Sequence, residues 1–314
     1  MPRGSKGQRN AKAFAPAAIT NFFEIDYNSS PHPVGATGGG YILSKGTMTT
    51  AAFVPSEGNE LITSVNGDRF YDARTTRRAV ALLVSSAGRQ GKIAITQRVD
   101  TPIGGGFGAS AASSTSAVYA AASALAVSTS KKDLALFAHK AEILEQTGLG
   151  TVSVIYDSVG AGAITAPGVP GVARFVNVSV PKTTRIVTAF VAPYDKKDAL
   201  SSKSVSEKIN RLGRESLRAF LDDPSLDNLA LQGERFSSSL GLESPEVSKL
   251  ISLAKSAGAD YASQNMIGYS VHSITNAESA GKVARGMATL GKGVRVDVFD
   301  VGSTRAGVVP PSRR

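Results

Sequence analysis

The chain has 314 residues, 42% of them hydrophobic, enough to bury a large core and to make two domains of ordinary size. It has no cysteine, and its three histidines (His32, His139 and His272) are scattered without ligand spacing, so disulfides and thiolate metal sites are excluded. The formal charge is +10, concentrated near the ends (Arg3, Lys6, Arg9, Lys12; Arg305, Arg313, Arg314) and in Arg74-Thr75-Thr76-Arg77-Arg78. With 6% aromatic residues and no interleaved aromatic pattern, no nucleic-acid partner is expected. The first twelve residues read instead as a basic, solvated, flexible tail, and the interior cations suit doubly anionic small substrates. No apolar run approaches the roughly 20 residues of a membrane span, and Met1-Pro2-Arg3-Gly4-Ser5-Lys6 lacks an apolar secretion segment, so the expectation is a cytoplasmic protein with no membrane partner.

From residue 13 to 100 short apolar runs alternate with turn residues, at 19–25, 40–43, 49–54, 61–65 and 93–97, and predict strands. Residues 79–84 predict a helix, and Gly88-Arg89-Gln90-Gly91-Lys92 a hairpin loop. Residues 110–126, rich in Ala and Ser without a breaker, predict a helix whose small side chains permit close packing. A second helix follows, capped by Asp133, with Leu134, Phe137, Ala138, Ala141 and Leu144 on one stripe and His139 on its polar flank. Strands are expected at 152–156, 173–180 and 185–192, then a polar, Lys-rich boundary at 193–203. Helices at 205–221, 226–240 and 245–256 and strands at 267–274 and 294–301, flanking a helix near 277–290, complete an α+β pattern. The domain reading is a tail over 1–12, a nucleotide-binding domain over 13–192 and an α+β domain over 193–314.

The most informative stretch is Pro102-Ile103-Gly104-Gly105-Gly106-Phe107-Gly108-Ala109-Ser110-Ala111-Ala112, a glycine turn feeding a small-residue helix. Such a turn exposes backbone N–H groups to an anion, and Ser110 offers a hydroxyl where a metal or phosphate would sit. A Walker A loop is excluded, because Ala109-Ser110 follows the last glycine where Lys-Ser/Thr is required. A dinucleotide fold fails as well, since the helix leads into another helix and not into a strand ending in a ribose-binding acid. A plain tight turn before a packed helix is the bland alternative.

The run is similar to the second motif of the GHMP kinases, a proline, three variable residues, Gly-Leu/Phe-Gly, one variable residue and Ser-Ala-Ala: Pro102, Gly106-Phe107-Gly108 and Ser110-Ala111-Ala112 match in order. With Ala15-Pro16-Ala17-Ala18-Ile19-Thr20-Asn21-Phe22-Phe23, Thr147-Gly148-Leu149-Gly150 and Gln264-Asn265-Met266-Ile267-Gly268, the chain most resembles the archaeal pantoate kinases within that superfamily. The resemblance implies the two-domain GHMP kinase fold, an N-terminal ribosomal-protein-like α/β domain and a C-terminal ferredoxin-like α+β domain, with the sites in the cleft between them. It implies ATP and Mg²⁺ as cofactors, phosphorylation of the primary hydroxyl of pantoate in coenzyme A biosynthesis, and a homodimer. Another small alcohol (homoserine, shikimate or a mevalonate derivative) as acceptor, or a non-catalytic nucleotide-binding regulator, are the rival readings.

Residue by residue, the resemblance assigns nucleotide binding to Pro102, Gly104, Gly105, Gly106, Phe107, Gly108, Ala109, Ser110 and Ala111. The metal-binding glutamate maps to Glu142, with Ser110 as a second ligand, while helix geometry nominates Glu145 as a rival. Where many family members carry an aspartate that orients or deprotonates the acceptor hydroxyl, this chain has Thr151, which cannot act as a base; Asp157 would substitute only if the fold returned it to the cleft. Ala18 likewise stands where relatives often have a polar or basic residue. For the acceptor, Thr20 and Asn21 of the first motif and Gly35, Thr37 and Gly38 of the glycine turn Pro33-Val34-Gly35-Ala36-Thr37-Gly38-Gly39-Gly40, which resembles that of the family, are candidates. Arg74 and Arg77 are candidates for its carboxylate, with Arg78 and Arg98 also available. The turn carrying Gln264 and Asn265 is expected to pack against the phosphate site, and His272 has no recognisable partner.

Overall fold

A computed structural model describes residues 8–26, 35–194 and 202–310. Pro33 and Val34 of the expected acceptor turn, His32, the basic residues at the extreme ends and most of the polar boundary at 193–203 lie outside the described residues. No helix among those described is long and apolar enough to cross a membrane.

The first sheet has seven strands. Its spine is β1 (Arg9–Asp26) paired antiparallel with β2 (Gly35–Pro55). Register shifts between Pro16 and Ala18 and between Thr20 and Phe22 divide this long ribbon into three segments. Thr47 to Pro55 of β2 pair with β4 (Gly91–Val99), which runs parallel to β3 (Glu60–Val65). Gly38 to Tyr41 of β2 pair instead with β5 (Ala161–Ala166), which pairs with β6 (Arg174–Val178). The last strand, β11 (Gly307–Val309), returns to the other edge of β1.

Three helices cover one face: α1 (Arg74–Ala87), α2 (Ala109–Leu125) and α3 (Lys131–Leu144). Thirteen of the seventeen α2 residues are buried, so this helix is the centre of the first core and not its surface. Its alanines allow close approach to the sheet, and its Ser113 and Ser116 join a polar layer. Gln97 donates through Nε2 to Thr49 Oγ1 (2.9 Å) and the Ser113 carbonyl (2.9 Å), Thr76 donates to Gln97 Oε1 (3.1 Å), and Thr49 and Ser116 share a 2.7 Å bond.

The second sheet, in the order β10-β7-β9-β8, is antiparallel: β7 (Thr184–Ala192), β8 (Tyr261–Gln264), β9 (Tyr269–Asn276) and β10 (Arg295–Asp300). Helices α7 (Pro245–Ser256) and α8 (Ala277–Ala288) pack on it. Helices α5 (Lys203–Asp222) and α6 (Leu226–Leu240) lean on β1, joining Phe22, Phe23, Phe220 and Phe236 in a core shared with Phe107, Ile267 and Phe299.

Several expectations change. Residues 152–156 are not a strand but α4 (Thr151–Asp157): Val152 and Ile155 bury one turn apart, and Ser153 Oγ donates to the Gly168 carbonyl (2.9 Å). Gly88 caps α1 in the left-handed conformation, so residues 88–92 link helix to strand and form no hairpin. The cap of α3 is Ser130, whose Oγ accepts from Asp133 N (3.0 Å) and donates to Asp133 Oδ2 (2.7 Å), so Asp133 supports the cap from the first turn. Residues 9–12 are not tail but the start of β1, paired to β2. Strand β7, which precedes the boundary expected after residue 192, pairs within the second sheet, while β11 belongs to the first.

His139 is not on a solvated flank: it is 2% exposed, and neither ring nitrogen has a partner among the described residues. Burial lowers its pKa to about 4, against an ordinary value near 6.5. The unfolded chain therefore binds more protons between these values, so the stability that the neutral ring carries is intact above pH 6.5 and is lost as pH falls toward 4. That loss is on the order of 3 kcal/mol. His139→Leu should raise stability at acid pH and flatten this part of the profile; thermal unfolding at pH 7 and pH 4.5 would read it, and an undiminished drop in the variant would contradict it.

Candidate active site at the glycine loop

Residues 101–108 connect β4 to α2 and lie where the two sheets meet. Gly104 (φ +80°), Gly106 (φ +77°) and Gly108 (φ +60°) all take left-handed backbone, which a side chain would strain. The loop's carbonyls are turned into the protein. Gly104 O accepts from Tyr194 N (3.1 Å), Phe107 O from Ala18 N (3.1 Å), and Gly105 O from Asn265 Nδ2 (3.2 Å) and, in a very short bond, from Ser270 Oγ. In a trans peptide the following N–H points the opposite way. Among the described residues no protein acceptor takes the N–H of Gly106 or Gly108. The first-turn N–H groups of α2 add to the same anion-binding face.

The loop opens on a cleft of about 1070 Å³ between the two sheets, room for a nucleotide and a small acceptor together. Twelve of the expected site residues line it: Thr20, Thr37, Gly38, Arg74, Gly104, Gly106, Phe107, Gly108, Ala109, Ser110, Glu142 and Thr151. Arg74 is the single cationic side chain among the described residues of the lining, with Asp72 and Glu142 its acids.

Glu142 is 2% exposed, at the end of α3. Thr147 donates to its Oε1 (2.6 Å), and Thr147 shares a 3.2 Å hydroxyl bond with Thr75 in the first turn of α1. Gly148 packs directly on the carboxylate: a Cβ there would collide with Oε2. The turn 147–150 is therefore a clamp that fixes one buried carboxylate at the cleft. Ser110, in the first turn of α2, supplies a hydroxyl to the same cleft. Among the described residues no cluster of three or more His, Cys, Asp or Glu exists. One carboxylate and one hydroxyl suit a hard cation that takes its other ligands from phosphate and water, which is the habit of Mg²⁺.

The position of the missing aspartate is equally well defined. Thr151 begins α4, and an added Cβ on Gly108 would come 2.8 Å from Thr151 Cγ2 and 3.2 Å from the Ala18 carbonyl. Ala18, Gly108 and Thr151 thus meet at one point beside the loop, without a charge on any of them. Met266 N donates to the Thr20 carbonyl (3.0 Å), so the turn after β8 touches both the first motif and the glycine loop, as expected of the segment 262–268.

Other expected residues stand elsewhere. Asp157 is at the far end of α4; its Oδ2 accepts from Gly171 N (2.8 Å), burial raises its pKa, and it does not line the cleft. Glu145 pairs with Arg78 Nε (2.8 Å) outside the cleft, because the helix ends there and the residue caps it. Arg77 reaches across to β3, donating to Thr63 Oγ1 (3.2 Å), and Arg98 pairs with Asp100 (3.1 Å). Asn21 is fully buried, donating to the Tyr41 hydroxyl (2.8 Å) and the Leu229 carbonyl (3.2 Å), so it holds β1 to α6 and does not face the cleft. Gly35 packs against Pro167. Pro102 and Ala111 are buried beneath the loop, and Gly105 faces away from the cleft through its carbonyl. Thr75 and Tyr41, which line the cleft, carried no distinguishing signal in the sequence; Thr147 stood in a recognised motif without a role.

Residues 74–156, which contain the loop, α2, Glu142 and Thr151, match the family described as GHMP kinases N terminal domain. A pantoate kinase of Thermococcus kodakarensis is 26% identical over 279 residues, covering 86% of this chain and 89% of that protein. A solved structure titled as a phosphotransferase related to the CoA biosynthesis pathway superposes with a TM-score of 0.85 at 24% identity, over 96% of this chain and 98% of that one. The homoserine kinase of Cytophaga hutchinsonii superposes with a TM-score of 0.70 at 20% identity, over 98% of this chain and 100% of its own. Residues 74–156 are thus similar to the GHMP kinase N-terminal domain, and the chain adopts the GHMP kinase fold from one sheet to the other.

Proposed function

We propose that the protein is an ATP-dependent kinase that transfers the terminal phosphoryl group to the primary hydroxyl of pantoate, giving 4-phosphopantoate for coenzyme A synthesis. The observation that carries the reading is the glycine loop: its carbonyls are bound inside the protein and its amides face a cleft that also holds Ser110 and Glu142. The acceptor assignment rests on the similarity to the pantoate kinase of T. kodakarensis over most of both chains.

Phosphoryl transfer through a loose transition state asks the protein to hold donor and acceptor in line and to neutralise the equatorial oxygens. The loop amides and the start of α2 bind the terminal phosphates, and Arg74 adds the cleft's positive charge. Ser110 and Glu142 would hold the divalent cation, which supplies further charge neutralisation when bound. Thr75 and Thr147 keep the Glu142 carboxylate oriented before any cation arrives. The acceptor occupies the side formed by Thr20, Thr37 and Gly38. Because residue 151 bears no carboxylate, the acceptor hydroxyl is positioned and not deprotonated there; its proton passes to a phosphate oxygen or to water as the new bond forms.

The test is ADP release with pantoate against homoserine, shikimate, mevalonate and other small alcohols. Pantoate should be preferred, release should depend on acceptor, and Ser110→Ala should abolish it; release independent of any acceptor would mean ATP hydrolysis instead, and no release with any of them would leave only a nucleotide-binding protein. Thr151→Ala should cost far less, under about tenfold in kcat, whereas Ser110→Ala should cost at least a hundredfold, as expected when a group at the transferring phosphate is removed. Equal losses in the two would refute this ordering.

Gly148→Ala gives a separate reading of the carboxylate clamp. The added methyl displaces Glu142 Oε2 while leaving the glycine loop untouched, so kcat should fall by about tenfold or more and the Mg²⁺ concentration for half-maximal rate should rise. Unchanged metal dependence would mean that Glu142 does not serve the cation.

A further inference from the structure

Among the buried polar groups that the kinase reading leaves unused, one chain of hydrogen bonds ends on the glycine loop. It begins in the second sheet. Ser263 on β8 and His272 on β9 are directly opposite one another in the ladder. Ser263 Oγ and His272 Nε2 are 3.3 Å apart, and His272 Nδ1 is 2.8 Å from Asn265 Oδ1. Asn265 Nδ2 donates to the Gly105 carbonyl (3.2 Å), and these three side chains are each no more than 3% exposed.

The donor roles follow from the amide. With Nδ2 of Asn265 given to Gly105, its Oδ1 is the acceptor, so His272 carries its proton on Nδ1 and presents Nε2 to the Ser263 hydroxyl. Burial lowers the imidazole pKa to about 3, so the ring is neutral and this single tautomer persists at physiological pH. Tyr41 stands edge-on to the ring at 5.5 Å between centroids and fixes its plane. Gly106 in turn rests on Asn265, whose carbonyl oxygen would lie 2.9 Å from an added Cβ.

We propose that His272 is a positioning residue for the terminal phosphates: through Asn265 it holds the Gly105 carbonyl against the second sheet and so turns the Gly106 N–H into the cleft. The reasoning is geometric. A peptide between two glycines has little steric resistance to turning over, and a turned Gly105–Gly106 peptide would present a carbonyl oxygen to the phosphates in place of an N–H. The Gly105 carbonyl also accepts from Ser270 Oγ, and His272 adds to that hold: its Nδ1–H bonds Asn265 Oδ1 and keeps the amide nitrogen toward Gly105. His272 does not touch the nucleotide; it acts two bonds away. This inference rests on the reading of the loop as a phosphate site.

The experiment is calorimetric binding of ADP and of adenosine to the full chain, comparing the parent with His272→Phe and His272→Asn. Phe keeps the ring volume but has no donor, and Asn places an N–H where Nδ1 stands. His272→Phe should weaken ADP about tenfold, the value of one hydrogen bond, and leave adenosine unchanged. His272→Asn should restore ADP affinity to within about threefold of the parent even though it leaves a larger void and melts lower. Should the Phe variant not fold, His272→Leu takes its place in the same comparison. ADP affinity equal to the parent's in the donor-less variant, or loss of affinity alike for ADP and adenosine, or no recovery with Asn, would overturn the relay. A parent chain that binds ADP no better than adenosine would overturn the phosphate site itself, and the relay with it.

Discussion

The constraint on which the rest depends is that one loop must satisfy two opposite demands. Its carbonyls have to be buried and bonded, and its amides have to stay unbonded and face solvent. An isolated glycine turn satisfies neither, because glycine leaves each peptide free to face either way. Here the carbonyls are distributed among three unconnected parts of the chain: Ala18 from β1, Tyr194 from the segment after β7, and Asn265 with Ser270 from the second sheet. The amide-lined surface of the loop is therefore a product of the assembled fold, and the loop sequence alone does not determine it.

The same logic explains the clamp on Glu142. A buried carboxylate is expensive unless its oxygens find partners. The Thr147 hydroxyl lies on one oxygen and the Gly148 backbone against the other, with Thr75 of α1 behind. Helices α1, α2 and α3 converge there. The small residues of α2 let this convergence happen within hydrogen-bonding range, which is what an Ala-rich helix accomplishes that a Leu-rich one would not.

The sequence was most legible where local chemistry decides the outcome. Helices over 226–240 and 245–256 were read to the residue, since caps and apolar stripes mark their ends. Residues 152–156 misled because Val, Ile and Tyr favour strands, yet the packing of Val152 and Ile155 made them one helical turn. Strand β5 escaped because Ala-Gly-Ala carries no alternation. His139 escaped because a stripe of alanines beside it hides how much of α3 is enclosed. At the site, the loop and Ser110, named from a motif, and Glu142, named from the resemblance, line the cleft, whereas Asp157, Glu145 and Arg77, nominated from one helix or strand at a time, do not. Asn265 and His272 become meaningful only once two strands of the second sheet lie side by side and the first domain's loop is set against them.

Strand β11 returns from the second sheet to lie against Lys12, Ala13 and Phe14 of β1, almost the full length of the chain away. A ribosome making this protein releases β11 only after every strand of the second sheet has been made. Until then the nascent first sheet keeps a bare edge alongside its longest ribbon, and the domain that emerges first is the one that must wait longest to be finished.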